Sequence, residues 1–248
     1  MVNGYINIIS TAIIIFLITN IFLRIFKIQG IEIEFKDNSH LKNWNVVLPV
    51  LISIIFMNIY IIIFLDKFSN NNLMINTTLQ IVLCSPIVLT MIKNRESLKS
   101  VGITKNNIIK LTILGFIIGS VYVLLNNPSL TLLKTSNYKK LIEYFVIRYM
   151  ILIAFSEEFI YRGYLQTRLI IINGKKKGYL ISTLISVLIH TTINIKIYGI
   201  SMLPEKIIIL IPLTLVLGYL QMETKSLIPG TILHAFADFC PFFSGTIY

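Results

Sequence analysis

Residues 142–167 read IEYFVIRYMILIAFSEEFIYRGYLQT. About 20 mostly apolar residues carry a helix across a hydrocarbon core of about 30 Å, and this run is long enough to do so. Yet Glu157, Glu158 and Arg162 lie well inside it. A charge at such a depth costs at least about 2.5–3.5 kcal/mol, so ionisable residues inside a span mark a working site by default. The stretch therefore implies a chain of membrane-crossing helices with chemistry carried among them.

The rest of the chain agrees. Of its 248 residues 55% are hydrophobic and only 13% charged, with a mean hydropathy of +0.80, against about 25% charge in a soluble domain. Eight segments qualify as spans, near 5–26, 46–65, 73–92, 108–126, 142–167, 179–198, 207–221 and 227–247. The expected fold is all-α: a polytopic membrane helical bundle of about eight transmembrane helices, forming a single membrane domain over 1–248. The apolar core of the first span is too long for a signal-peptide h-region, and no A-x-A site follows, so it is expected to stay attached. The longest polar connection, 27–45, contains Glu32, Glu34, Asp37 and His40 and reads as a solvated loop or surface helix. Cys84 and Cys240 fall in apolar stretches, where they read as core residues rather than a disulfide framework or a CxxC metal site.

The net charge of +11, from 22 Lys+Arg against 11 Asp+Glu, lies in short loops between apolar runs. There it reads as membrane anchoring and not as nucleic-acid binding. The odd-numbered loops hold Arg24, Lys27, Lys36, Lys42, Lys93, Arg95, Lys99, Lys105, Arg168, Lys175, Lys176, Lys177 and Lys225. The even-numbered loops hold only Lys67, Lys134, Lys139, Lys140, Lys196 and Lys206. Positive charge favours the cytoplasmic side, so both termini are expected outside and the odd loops inside.

Glu157, Glu158, His190, His234 and Asp238 all fall inside spans. At 1.5 Å per residue the glutamates lie roughly 15 Å below the loop at Arg168, with His190 at roughly 18 Å and His234 at roughly 13 Å from the same face. One cavity can collect them. Glu158 and Arg162 stand four residues apart, as do His234 and Asp238, so each pair shares a helical face. Glu157 points about 100° away from Glu158, leaving one carboxylate to pair with the guanidinium and the other for proton chemistry. Blander readings compete: a packing clamp for Glu158–Arg162, an interhelical hydrogen bond for His190, or the midplane acids of a transporter. Tyr161 and Tyr164 read as packing, and Arg148 and Lys110 as snorkelling or paired.

The stretch Ser156-Glu157-Glu158-Phe159-Ile160-Tyr161-Arg162-Gly163 resembles the E-E-x-x-x-R signature of the CPBP family, the CAAX proteases and bacteriocin-processing enzymes also called the Abi family. Its second motif, F-x-x-x-H, is met by His190, with Ser186 where Phe is usual. Its third, H-x-x-x-N or H-x-x-x-D, is met by His234 and Asp238. Gly218-Tyr219-Leu220 and Ser226-Leu227-Ile228-Pro229 are similar to the family's lead-in to that motif. The similarity covers about 140–245, a CPBP-like catalytic core, with 1–139 as additional N-terminal transmembrane helices.

The resemblance implies an intramembrane endopeptidase in which Glu157 activates a water with help from His190. Glu158 and Arg162 would position that glutamate, and His234 and Asp238 would stabilise the oxyanion. Some descriptions of the family make its members metallopeptidases, so a divalent metal such as zinc stays open beside a metal-free, glutamate-driven mechanism. No H-E-x-x-H zinc signature occurs. The implied partners are a peptide or lipidated protein substrate and the lipid bilayer of the cell membrane, and the oligomeric state is open. Family members process prenylated C-termini or bacteriocin and pheromone leaders, or confer self-immunity. Two other classes remain in view: a non-proteolytic immunity or scaffold protein, and a small-solute transporter.

The charge asymmetry makes a testable prediction. With Cys84 and Cys240 replaced, a cysteine near Lys176 reacts with an impermeant thiol reagent only once the cytoplasmic side is opened. One near Asn70 reacts in intact cells. The reverse pattern would invert the topology.

Overall fold

The computed structural model describes residues 2–28, 30, 43–64, 73–127 and 138–243. The described elements are helical throughout: α1 (Val2–Ile25), α2 (Asn43–Phe64), α3 (Leu73–Lys93), α4 (Ile108–Asn126), α5 (138–173), α6 (Lys175–Tyr198), α7 (Leu203–Thr224) and α8 (Ile228–Phe243). Short 3₁₀ turns stand at Leu98–Val101 and Ile200–Met202. The protein is an all-α membrane bundle, and its long helices coincide with the expected spans to within a few residues at most ends.

The differences are instructive. Arg168, expected in a loop, is in the last turns of α5 and fully buried. Lys175, Lys176 and Lys177 open α6 rather than preceding it. The connection is Gly174 alone, because its φ of +80° suits glycine and ends α5 at once. Among the described residues, four segments are by themselves long and apolar enough to cross a membrane: Ile6–Ile25, Ile108–Asn126, Lys175–Tyr198 and Ile200–Thr224. The described apolar stretches of α2 and α3 are shorter, and α5 falls short because it carries the charges of the site. The expected features at Glu32, Glu34, Asp37, His40, Lys67 and Lys134 lie outside the described residues.

Apolar side chains cover the outside as well as the inside. Ile6, Ile9, Ile13, Leu17 and Ile21 form one exposed stripe along α1, and Leu180, Leu184 and Leu188 form another along α6. Such surfaces are untenable in water at this extent and match lipid tails. Inside, one core cluster joins α2, α3 and α5 through Val50, Ile87, Phe159 and Leu165. A second joins α1, α4, α7 and α8 through Ile15, Leu114, Leu217 and Leu233.

Two features place the site. First, α5 is one continuous helix of uneven gauge. π-helical segments Phe145–Ala154 and Phe159–Gln166 flank the single α turn Phe155–Glu158. The Phe155 N–H reaches back five residues to the Met150 carbonyl. Such widened turns are rare and concentrate at functional sites. Because α6 folds back directly at Gly174, Glu157, seventeen residues before the pivot, meets His190, sixteen after it. Ser182 and Gln166 form a lower rung of the same hairpin, with the Ser182 hydroxyl 3.4 Å from Gln166 Oε1.

Second, α4 packs α8 along Gly115 and Gly119, a small-xxx-small spacing that lets membrane helices approach closely. A Cβ on Gly119 would sit 2.4 Å from the Phe236 ring, and one on Gly115 would sit 2.9 Å from Ile232 and 3.1 Å from the Pro229 Cα. This seam sets the height of His234 and Asp238. Gly115→Val should therefore cost about 1–3 kcal/mol by overpacking, read as a lower midpoint of thermal unfolding in detergent. An unchanged midpoint would show that the helices are not held at this seam.

Candidate active site

Three helices bring six ionisable side chains together: Glu157, Glu158 and Arg162 from α5, His190 from α6, and His234 and Asp238 from α8. They form two layers. Glu158, Arg162 and His234 are buried at 1%, 3% and 6% exposure. The side chains of Glu157, His190 and Asp238 keep 22%, 24% and 33% of their surface.

In the inner layer Arg162 Nη1 lies 3.0 Å from Glu158 Oε1, an ion-pair contact without a well-aimed N–H. The same Oε1 accepts from His234 Nδ1 at 2.9 Å. Gly230 of α8 presses close to the other carboxylate oxygen, where an added Cβ would stand at 3.3 Å. Adjacent residues on a helix diverge by about 100°, so the Glu158–Arg162 pair reaches His234 directly. The resemblance implies instead that this pair positions Glu157.

In the outer layer His190 Nδ1 lies 2.7 Å from the Ser186 carbonyl. A carbonyl only accepts, so Nδ1 carries the hydrogen. The opposite nitrogen, Nε2, faces Glu157 Oε2 at 3.2 Å. A bare lone pair against a carboxylate would repel, so this geometry places a proton between them. With Nδ1 committed to Glu158, His234 Nε2 points between Glu157 Oε2 at 3.8 Å and Asp238 Oδ2 at 3.5 Å. The arrangement can accept a proton at Glu157–His190 and present an N–H or O–H at His234–Asp238. Among the described residues no group of three His, Cys, Asp or Glu side chains is disposed to hold a metal ion. The site's donors are committed to one another, and no step is assigned to a metal.

Other expectations resolve around this cluster. Tyr161 is buried with its ring centroid 6.3 Å from that of His190. Arg148 lies over the Tyr144 ring at 5.1 Å, and Lys110 donates to the Phe26 carbonyl at 3.3 Å. Cys84 and Cys240 are free thiols. Sequence reasoning missed the Ser186 carbonyl, although its i, i−4 relation to His190 was available. It also missed the ionic tie between Arg168 and Glu96, which no local spacing could announce. Arg168 further stacks on Tyr164 at 3.8 Å and bonds Ser100 Oγ at 3.3 Å, fastening the 3₁₀ turn Leu98–Val101 to α5.

Removing Arg162 leaves Glu158 buried with a single partner, and breaking a buried pair costs about 3–5 kcal/mol. Arg162→Ala should lower the yield of folded protein, and adding Glu158→Gln should restore part of it by removing the stranded charge. A double variant no better than the single one would show that the two side chains are not partners.

Comparison with curated proteins and with solved structures gave no match. Residues 140–240 match the family model described as Type II CAAX prenyl endopeptidase Rce1-like. That interval contains all six side chains of the cluster and the three helices that carry them. With these motifs converging in one membrane-embedded site, segment 140–240 of this integral membrane protein is similar to the Type II CAAX prenyl endopeptidase Rce1-like family.

Proposed function

We propose that the protein is an intramembrane endopeptidase, hydrolysing peptide bonds in lipidated protein ends or other membrane-associated peptides near the cytoplasmic face. The observation that carries this reading is the Glu157 Oε2–His190 Nε2 contact of 3.2 Å in the accessible layer, backed by the Ser186 carbonyl. Glu157 takes a proton from water as that water attacks the scissile carbonyl. Glu157 keeps that proton while His190 passes the one it already shares with Glu157 to the leaving amide nitrogen, so that one peptide bond and one water become a carboxylic acid and an amine. His234, held by Glu158, and Asp238 donate to the oxygen on which negative charge develops. Arg162 holds Glu158 in place through their 3.0 Å contact, acting through His234 as a positioning residue.

Prenylated chain ends are the substrates named by the family description, and a lateral approach from the bilayer suits a lipidated peptide. A non-proteolytic immunity role leaves the proton-sharing pair without a task. The direct test is cleavage of a prenylated, quenched peptide by the purified protein in liposomes. Glu157→Gln keeps the shape but cannot accept the proton, and should lower turnover by about 10²–10⁴-fold while expression and insertion persist. Cleavage at the parental rate would refute the assignment.

A further inference from the structure

Glu96 and the 3₁₀ turn Leu98–Val101 precede the interval 140–240 that matches the family model, yet they are built into its helices. At the basic end of the bundle, where Lys175, Lys176 and Lys177 open α6, the fully buried Arg168 meets Glu96, whose side chain keeps 3% of its surface. A guanidinium is a planar fork of five donors, so one side chain serves several acceptors in fixed directions. Arg168 Nη1 donates to the Tyr164 carbonyl at 3.0 Å and to the Thr167 hydroxyl at 3.2 Å. Nη2 pairs with Glu96 Oε2 and donates to Ser100 Oγ at 3.3 Å. The Ser100 hydroxyl in turn donates to Glu96 Oε2 at 3.4 Å. The pair thus holds the turn against α5 by its own backbone neighbours on one side and by Ser100 on the other.

The turn continues to α8. Gly163 of α5 offers it bare backbone, since an added Cβ would stand 2.7 Å from the Val101 carbonyl oxygen and 3.4 Å from Leu227 Cδ1. Gly102 ends the turn at a φ of +80°, and its carbonyl accepts the Leu227 N–H at 3.2 Å. The first N–H groups of a helix have no acceptor within it, and the one just before α8 is satisfied from this turn. Leu227 is seven residues, roughly 10 Å of helix, before His234. Further along the same stretch of chain, Gly115 and Gly119 meet α8 at Ile232 and Phe236. Residues 96–119 therefore grip α8 at its start and along its length.

On the endopeptidase reading, we infer that Glu96 and Arg168 are a positioning pair for the hydrolysis. By fixing the turn, they set the height at which α8 presents His234 and Asp238 to the two glutamates. Neither side chain touches the six residues of the site in any bond described above, and both act through the Gly102–Leu227 bond. The tolerance is narrow. His234 Nδ1 is 2.9 Å from Glu158 Oε1, while its Nε2 stands 3.5 Å from Asp238 Oδ2 and 3.8 Å from Glu157 Oε2. A misplacement of about 1 Å can cost about 10²-fold in rate. Because these donors act on charge that develops only in the transition state, the loss belongs in kcat rather than KM.

The test combines cleavage of a prenylated, quenched peptide by the purified full chain in liposomes with amide hydrogen exchange of the same preparations. Glu96→Gln keeps the shape and removes the charge, and it should lower kcat about tenfold with KM within about twofold of the parent. Its exchange should rise at 98–103 and 226–232 and stay parental in α1 and α6. Arg168→Lys keeps the charge without the fork and should fall between parent and Glu96→Gln in both readouts. Glu96→Gln together with Asp238→Ala should lose less than the product of the single effects, because both act on the same donors. If Glu96→Gln does not fold, Arg168→Lys is judged by the same criteria. A parental kcat, exchange raised equally along the whole chain, or losses that multiply would overturn the positioning role. Should the parent itself cleave nothing, the endopeptidase reading fails, and exchange alone decides: a variant with parental exchange at 226–232 would show that the pair does not hold α8.

Discussion

A carboxylate held in a membrane interior must be matched by positive charge or neutralised, and the site is organised around that constraint at Glu158. At 1% exposure it has no water to rely on, and its Oε1 takes Arg162 from one turn further along α5 and His234 from α8. Binding His234 through Nδ1 decides what its other nitrogen faces. Glu157 and Asp238 flank that nitrogen, so a fixed inner charge sets the geometry of a more accessible outer layer. Three acids stand against one arginine and two imidazoles. The cluster can therefore be neutral as a whole while protons move within it, which the low dielectric favours.

Ion pairs of this kind add little to stability, since apolar residues of similar size often serve as well. The bundle is held by its two apolar clusters and by close approach along Gly115 and Gly119. A second ionic tie, Arg168 to Glu96, acts at the basic end and fastens the turn after α3 to α5. The Tyr164 ring and the Ser100 hydroxyl share in that contact. Charge thus orients, and packing stabilises.

The α5–α6 hairpin connects these roles. Gly174 alone separates the helices, so residues equidistant from it come to equal heights, and the Glu157–His190 and Gln166–Ser182 contacts are rungs of one ladder. His190 is aimed from within its own helix by the Ser186 carbonyl. A serine there, buried at 2%, also bonds back to the Ser182 carbonyl at 2.9 Å.

Whatever depended on spacing along one helix was legible in the sequence. Apolar run lengths defined the bundle, and the four-residue intervals Glu158–Arg162 and His234–Asp238 defined shared faces. The charges inside spans marked the site, because a bilayer tolerates them only for a reason. Tertiary structure decided the rest. It assigned Glu158 to His234 and Glu157 to His190, buried Arg168 against Glu96, and seated Gly119 against Phe236. Contacts between helices depend on their relative height and rotation, and those follow from single-residue turns and steric fit rather than from periodicity. The π turns flanking Phe155–Glu158 shift each hydrogen bond by only one residue, a difference that side-chain pattern does not encode but that helps set where each carboxylate points.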